Sequence, residues 1–140
     1  MDIVAESVFP DVTLTDLSQI RQFMRTTADT NGYPSAAIDE LIVAVNEALS
    51  NIVRHSYQNK PGAIKVSMVC SQGAVKVTLH DNGPGFDPTS VPTPDTTLPL
   101  EKRPFGGMGV HMMRTFCDEL TYRKDAHGGN ELTFLKRIDG

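Results

Sequence analysis

The sequence predicts a two-layer α/β sandwich, in which a mixed, mostly antiparallel sheet is covered on one face by three helices. Three segments carry apolar residues at the three- to four-residue spacing of a buried helix face. Two pairs of alternating apolar and polar runs are separated by glycine-containing turns, which is the pattern of antiparallel hairpins. A chain of 140 residues can bury one hydrophobic core, so we expect a single domain over residues 1–140.

The first elements predicted are a strand and a helix. Ile3–Phe9 has the composition of a short edge strand, which Pro10 should end. Thr13 and Asp16 have the spacing of a capping box that opens a helix. The pair Asn31-Gly32 tolerates the left-handed conformation that ends a helix. Between these signals the apolar stripe comprises Leu14, Leu17, Ile20, Phe23, Met24 and Ala28.

The strongest helical pattern begins near Pro34-Ser35 and runs to about Tyr57. Ala63–Val69 and Ala74–His80 then alternate as two strands, and the turn residues Ser71-Gln72-Gly73 predict a hairpin between them. The apolar side of the helix comprises Ile38, Leu41, Ile42, Val45, Leu49, Ile52 and Val53.

The last third of the chain begins with a long loop. Five of the nine prolines lie between Asp87 and Phe105, which excludes a long helix or a central strand there. Leu120–Arg123 and Glu131–Ile138 predict a final hairpin that turns at Gly128-Gly129-Asn130. Between the loop and the hairpin, a third helical pattern follows Gly109 and comprises Val110, Met113, Phe116, Cys117 and Leu120.

Composition excludes several functional classes. The 13 basic and 17 acidic residues give a formal charge of −4, so direct binding of nucleic acid is disfavoured. No apolar run reaches the length of a bilayer span, and the first residues lack a secretion signal, so we expect a soluble cytoplasmic protein with no membrane partner. Cys70 and Cys117 lie far apart without a C-x-x-C pattern, and we expect two buried thiols.

Three short patterns carry the candidate chemistry. The first lies on the second helix, where Glu40, Ala44, Glu47, Asn51 and Arg54 advance by three or four residues and form one stripe. An Asn oxygen suits Mg²⁺, and a carboxylate one turn away can take a proton from a hydroxyl or water. Arg54 could reach phosphate oxygens. The same stripe is also compatible with an ordinary solvated helix face.

The second pattern, Asp81-Asn82-Gly83-Pro84-Gly85, follows an alternating strand. A carboxylate at a strand end can accept a hydrogen bond from an adenine amino group, and glycines let the backbone approach a flat base. An Asp-Asn-Gly turn without a ligand is an open alternative.

The third pattern, Gly106-Gly107-Met108-Gly109, stands before the third helix, where free backbone N–H groups favour a phosphate. Lys102 and Arg103 add positive charge beside it. A flexible helix entry would have the same composition. Together, the three patterns supply the different parts of one site for a magnesium-bound adenine nucleotide.

Histidines are not expected to bind metal. His55, His80, His111 and His127 are scattered over different predicted elements, and none forms an H-x-x-x-H or Cys/His pattern with metal-ligand spacing. The sequence therefore assigns no metal-binding role to a histidine.

With the three patterns in this order, the chain resembles the GHKL ATP-binding superfamily and, within it, the anti-sigma factor serine kinases. The most specific part is Glu-Ala-x-x-Asn at Glu47–Asn51, followed by His55-Ser56-Tyr57. The resemblance implies the Bergerat ATP-binding fold, with ATP and Mg²⁺ as cofactors and residues 87–105 as a lid over the nucleotide. Sensor histidine kinases usually carry Asn at position 47, so Glu47 indicates a hydroxyl acceptor.

The resemblance also implies roles for single residues. Glu47 would be the general base, Asn51 the Mg²⁺ ligand and Asp81 the acceptor for the adenine amino group. Thr133 matches a position that often helps to hold adenine, although a β-branched strand residue is an equal alternative. Further nucleotide contacts would come from Arg54, Gly83, Gly85, Arg103, Gly107, Met108, Gly109 and Val110. Pro104 and Phe105 separate Lys102 and Arg103 from the glycines, which departs from the family pattern.

The implied function is phosphorylation of a serine or threonine on an anti-anti-sigma partner of the STAS type, with a sigma factor as a second partner and a homodimer as the assembly. Two alternatives remain at this point. A nucleotide-gated module could bind a partner without phosphorylating it, and a free-standing ATPase could release phosphate without a partner.

Overall fold

A five-stranded sheet and three helices form the two layers of the protein. The computed structural model describes residues 3–83, 107–125 and 128–138. The strands are β1 (Ile3–Val12), β2 (Gly62–Ser71), β3 (Ala74–Asp81), β4 (Glu119–Lys124) and β5 (Asn130–Arg137). The helices are α1 (Leu17–Thr30), α2 (Ser35–Asn51) and α3 (Gly107–Thr115). The sheet order is β1-β2-β3-β5-β4, and each pairing between these strands is antiparallel, which confirms the predicted fold class.

One face of the sheet is buried under the helices, and the other face is open. Side chains alternate between the two faces because successive strand residues point in opposite directions. On β3, Val75, Val77 and Leu79 are fully buried, whereas Lys76 between them is exposed. Residues from α1, α2, α3 and the buried sheet face share one hydrophobic cluster. Within the described ranges, no helix combines the length and apolar character needed to span a bilayer.

The first strand is longer than predicted. It continues past Pro10 to Val12, with a register shift between Phe9 and Val12. Proline is tolerated because β1 is an edge strand and the ladder is already irregular there. The predicted capping box is confirmed, since the Thr13 backbone N–H donates to Asp16 Oδ2 at 2.9 Å. Leu14 is 40% exposed, so its predicted place in the apolar stripe is wrong.

The second helix changes geometry before its predicted end. After Asn51 the chain forms one π-helical turn, Ile52–Ser56, instead of continuing as an α-helix to Tyr57. All seven predicted apolar residues of this segment are buried. Ala44 is buried as well, so the predicted polar stripe is interrupted by a core residue.

The third helix begins at Gly107, earlier than the predicted start after Gly109, and ends at Thr115. Leu120, which the helical pattern included, belongs to β4. The sequence pattern predicts Asn130 in the final turn, but it is the first residue of β5 and is 3% exposed. The predicted loop over residues 87–105 lies outside the described residues.

Both cysteines are buried free thiols, as expected. Burial raises the pKa of Cys117 to about 11, and the nearby Asp118 carboxylate adds to this shift. The Cys117 thiol also donates to the Met113 carbonyl one helical turn earlier. The thiol is therefore protonated at neutral pH, which disfavours reaction with alkylating agents.

Among the described residues, Phe134 on β5 is the largest fully buried side chain. Replacing it by alanine should lower the free energy of unfolding by about 3–5 kcal/mol, because both the apolar burial and the packing around the ring are lost. Urea denaturation measures this change. Leu135→Ala is the matched control, since Leu135 points to the open face and is only partly buried. Equal losses for the two variants would contradict the assignment of the faces.

Candidate functional site

Asp81 lies at the centre of a buried polar network at the end of β3. Its side chain is 3% exposed. The carboxylate oxygen Oδ1 accepts hydrogen bonds from Ser56 Oγ at 3.2 Å, the Gly83 backbone N–H at 3.0 Å and Asn130 Nδ2 at 3.0 Å. Among the described residues, Oδ2 has no hydrogen-bond donor. The carboxylate is thus held by one oxygen, and the other is available to accept from a ligand.

The π-helical turn brings Ser56 to this carboxylate. Ser56 is the last residue of the turn and is 7% exposed. Insertions of this type recur at functional sites, because the widened turn redirects the side chains that follow it. The next residue, Tyr57, accepts from the Asn82 backbone N–H at 2.9 Å and donates to the Ala63 carbonyl. Burial raises the Tyr57 pKa, so the hydroxyl stays protonated and keeps both bonds.

Gly83 is required by the close approach of these segments. A Cβ atom at this position would lie 2.1 Å from Ser56 Oγ and 3.1 Å from the Ser56 carbonyl oxygen. The contact of 2.1 Å is shorter than any Cβ can accept and the contact of 3.1 Å is tight, so a larger residue would force the Ser56 side chain or the strand end to move. The predicted role of Gly83 as a shaping residue is consistent with this geometry.

Asn130 belongs to the same network and is the site residue that sequence reasoning missed. Its amide nitrogen donates both to Asp81 Oδ1 and, at 2.7 Å, to the Gly83 carbonyl. Its amide oxygen accepts from the Tyr122 hydroxyl at 2.6 Å, which fixes the orientation of the amide. A buried asparagine on β5 therefore positions the carboxylate of Asp81 and the backbone of Gly83.

Glu47 and Asn51 lie on α2, the helix that leads into the π turn carrying Ser56. Both side chains are partly exposed. In the described part of the chain, neither side chain has a hydrogen bond or ion pair. Asn51 precedes Ser56 by five residues in the chain, and Glu47 precedes it by nine.

The other members of the predicted stripe do not join this pair. Glu40 forms an ion pair with Lys136 at 2.6 Å, and Ala44 is in the core. Arg54 lies in the π turn and is exposed. The stripe therefore reduces to Glu47 and Asn51, with Arg54 beyond the change in helix geometry.

The start of α3 is the predicted phosphate-binding part of the site. This helix packs against α2, and its first described residue is Gly107. The first N–H groups of a helix have no intrahelical acceptor and can bind an anion. Val110 is 1% exposed and lies in the core, so only its backbone could contact a nucleotide. Gly85 and Arg103 fall outside the described residues.

Thr133 is not brought to this site. It lies on the open face of the sheet, where its hydroxyl is 3.1 Å from the hydroxyl of Thr78 on β3. Asn130 and Asp81 point to the helix face, and an offset of three residues along a strand reverses the direction of the side chain. The described structure therefore does not bring Thr133 to Asp81, whereas Asn130 lies beside that carboxylate.

The family model of the histidine kinase-like ATPase domain matches residues 11–136, which include all of the elements described above except the first residues of β1 and the last residues of the chain. The chain belongs to the histidine kinase-like ATPase family. This assignment confirms the predicted resemblance.

Several members of the histidine kinase-like ATPase family are similar to this chain. The serine-protein kinase RsbW of Bacillus cereus (strain AH187) is 28% identical over 110 residues, covering 76% of this chain and 69% of the relative. The serine-protein kinase RsbW of Bacillus anthracis (strain CDC 684 / NRRL 3495) has the same identity and coverage.

Solved structures show the same fold at lower identity. The RsbU and RsbW domains of Rv1364c from Mycobacterium tuberculosis give a TM-score of 0.66 at 19% identity, over 96% of this chain and 32% of that chain. This chain thus spans about a third of that structure. The Acinetobacter baumannii histidine kinase AdeS gives a TM-score of 0.50 at 15% identity, over 99% of this chain and 70% of that chain.

In this histidine kinase-like ATPase, replacing Asn130 should weaken nucleotide binding, whereas replacing Thr133 on the same strand should not. Asn130→Ala removes donors to Asp81 and Gly83 and leaves the Tyr122 hydroxyl without its acceptor. We expect a loss of about 1–3 kcal/mol in stability and a roughly tenfold weaker affinity for ADP. Calorimetric titration and urea denaturation measure the two effects.

Thr133→Val is the control for this pair, because its hydroxyl contacts only the open face in the described structure. We expect its ADP affinity to match the wild-type value. A large loss of ADP affinity in Thr133→Val, with none in Asn130→Ala, would show that Thr133, and not Asn130, contributes to nucleotide binding.

Proposed function

We propose that the protein is an ATP- and Mg²⁺-dependent serine/threonine kinase that phosphorylates an anti-anti-sigma protein of the STAS type. A sigma factor is proposed as a second partner, which the kinase would hold inactive. The observation that carries the proposal is the pair Glu47 and Asn51, one helical turn apart on α2, with no partner among the described side chains. The RsbW names of the similar kinases support the same class of activity.

The donor set suits the proposed cofactors. Mg²⁺ prefers oxygen ligands and keeps several waters, so one amide oxygen from Asn51 together with nucleotide phosphates is an adequate site. The available Asp81 oxygen is an acceptor, which matches the amino group of adenine and not the carbonyl oxygen of guanine. When bound, Mg²⁺ would supply charge neutralisation at the phosphates.

In the proposed reaction, Glu47 takes the proton from the acceptor hydroxyl as its oxygen attacks the γ-phosphorus. The new bond joins that oxygen to the γ-phosphorus, and the bond between the γ-phosphorus and the bridging oxygen breaks to release ADP. The backbone N–H groups at the start of α3 bind the phosphate tail. Asp81 and Asn130 hold the adenine ring at a fixed distance from Glu47.

We also propose that the protein acts in the cytoplasm as a homodimer built from one domain per chain. Val4 and Val8 on the edge strand β1 are 61% and 60% exposed, and a free strand edge with exposed apolar residues supports contact with a second copy.

Incubation with γ-labelled ATP, Mg²⁺ and STAS proteins encoded beside this gene tests the proposed function. Label on a partner serine or threonine is the expected result. Nucleotide-dependent binding of the partner without label would identify a nucleotide-gated binding module instead. Release of labelled phosphate at the same rate with and without any partner would identify a free-standing ATPase.

A further inference from the structure

A group of three metal-ligating side chains lies on the open face of the sheet. His80 is on β3, Glu131 is on β5, and Asp125 follows β4. One ligand atom from each of the three lies within 4.8 Å of the other two. His80 comes directly before Asp81 on β3, and Glu131 comes directly after Asn130 on β5. Because neighbouring strand residues point in opposite directions, His80 and Glu131 lie at the same strand ends as Asp81 and Asn130 but on the opposite face. This group is therefore separate from the nucleotide site.

The backbone around this group brings the ligands close together. A Cβ atom at residue 129 would lie 2.6 Å from Asp125 Oδ2 and 2.8 Å from His80 Nε2, so glycine at this position lets the two side chains meet. Asp125 Oδ2 and His80 Nε2 share a hydrogen bond of 2.5 Å. The His80 and Asp125 side chains are 29% and 18% exposed, which leaves access for an ion from solvent.

Both carboxylates are oriented by additional donors. The Gly129 backbone N–H donates to Asp125 Oδ1 at 2.9 Å, which leaves Oδ2 directed at His80. The Arg123 guanidinium donates to Glu131 Oε2, so the second oxygen of Glu131 can serve as a ligand. Metal-binding carboxylates are commonly held in this way, because outer hydrogen bonds fix the direction of the ligating oxygen.

We propose that His80, Asp125 and Glu131 form a site for one zinc ion. An imidazole nitrogen with two carboxylate oxygens is a normal zinc donor set, and a water can complete four-coordination. The imidazole disfavours Mg²⁺ and Ca²⁺, which take oxygen ligands. His80 Nε2 cannot bind the ion while it carries the proton of its hydrogen bond to Asp125. Zinc binding would therefore release that proton to solvent, and the two ligand atoms would move apart to coordinate the ion. The ion joins β3 to β5 and to the β4–β5 turn.

Calorimetric titration of ZnCl₂ into metal-free, nucleotide-free protein tests this site. We expect one ion per chain and a zinc-dependent rise in the melting temperature. His80→Ala and Asp125→Asn should each weaken zinc binding by about tenfold or more. His111→Ala is the matched control, because His111 lies on α3 and its removal should leave zinc affinity unchanged.

Melting curves without zinc show whether each variant is folded, and Asp125→Asn keeps the size of the side chain if His80→Ala proves unstable. Zinc affinity that is unchanged in the folded Asp125→Asn variant, or absence of zinc binding to the wild-type protein, would overturn the proposal. Because the titration contains no nucleotide, its outcome is independent of the proposed kinase activity.

Discussion

Replacement of Glu47 by glutamine should lower phosphoryl transfer by about 100- to 10,000-fold, because an amide cannot take the proton of the acceptor hydroxyl. The affinity for ATP should change little, since Glu47 lies nine residues before Ser56 in the chain and is not among the residues that hold Asp81. The initial rate of partner phosphorylation at saturating ATP measures the first effect, and calorimetric titration with ADP measures the second.

Glu40→Gln is the matched control for this experiment. Glu40 is on the same helix two turns earlier, but its carboxylate pairs with Lys136 and does not face a ligand. Its transfer rate should equal that of the wild-type protein. A Glu47→Gln variant that phosphorylates the partner at the normal rate would show that Glu47 is not the base.

Replacement of Asp81 by asparagine should weaken adenine nucleotide binding by about 10- to 100-fold. Oδ1 accepts three donors, so the amide nitrogen of the variant must occupy the Oδ2 position and present N–H groups to the adenine amino group. The loss of a hydrogen bond to a charged acceptor accounts for about 1.5–3 kcal/mol. Calorimetry with ADP measures the affinity directly.

Asp39→Asn is the control, because Asp39 pairs with Arg25 on the surface of α2 and α1. Its nucleotide affinity should be unchanged. The melting temperature of Asp81→Asn must be measured as well, since three hydrogen bonds are altered. Wild-type affinity in a folded Asp81→Asn protein would remove Asp81 from the nucleotide site.

The layers of the fold could be predicted because local periodicity determines them. The alternation through Val75, Val77 and Leu79 fixed which face of β3 is buried, and this face includes Asp81. The apolar residues predicted to be buried on α2 are all buried, although Ala44, which the pattern places on the polar stripe, is buried as well. These patterns depend only on which side chains must leave water.

The details of the site depended on contacts between distant segments. Ser56 reaches Asp81 through a π turn, which has no reliable signal in a helical sequence pattern. Asn130 was read as a turn residue because asparagine follows two glycines there, but strand pairing places it opposite Asp81. That pairing also means that Thr133 points away from Asp81. Thr133 and Asn130 are separated by an odd number of positions on β5, so their side chains lie on opposite faces of the sheet.

The cluster on the open face could not be predicted from spacing for the same reason. His80 lies 45 residues before Asp125 in sequence, and no short motif joins them. The antiparallel pairing of β3 with β5 and the turn after β4 bring the three side chains together. Patterns with fixed ligand spacing detect only sites whose ligands are close in sequence.

The central claim is that Glu47 and the Asp81 network act together to transfer the γ-phosphate of ATP to a hydroxyl. Mass-spectrometric mapping of a STAS partner after reaction with ATP and Mg²⁺ tests it most directly. We predict one phosphorylated serine or threonine with the wild-type protein and almost none with Glu47→Gln at equal nucleotide occupancy. An unmodified partner with the wild-type protein saturated with ATP, or equal phosphorylation by the two proteins, would contradict the claim.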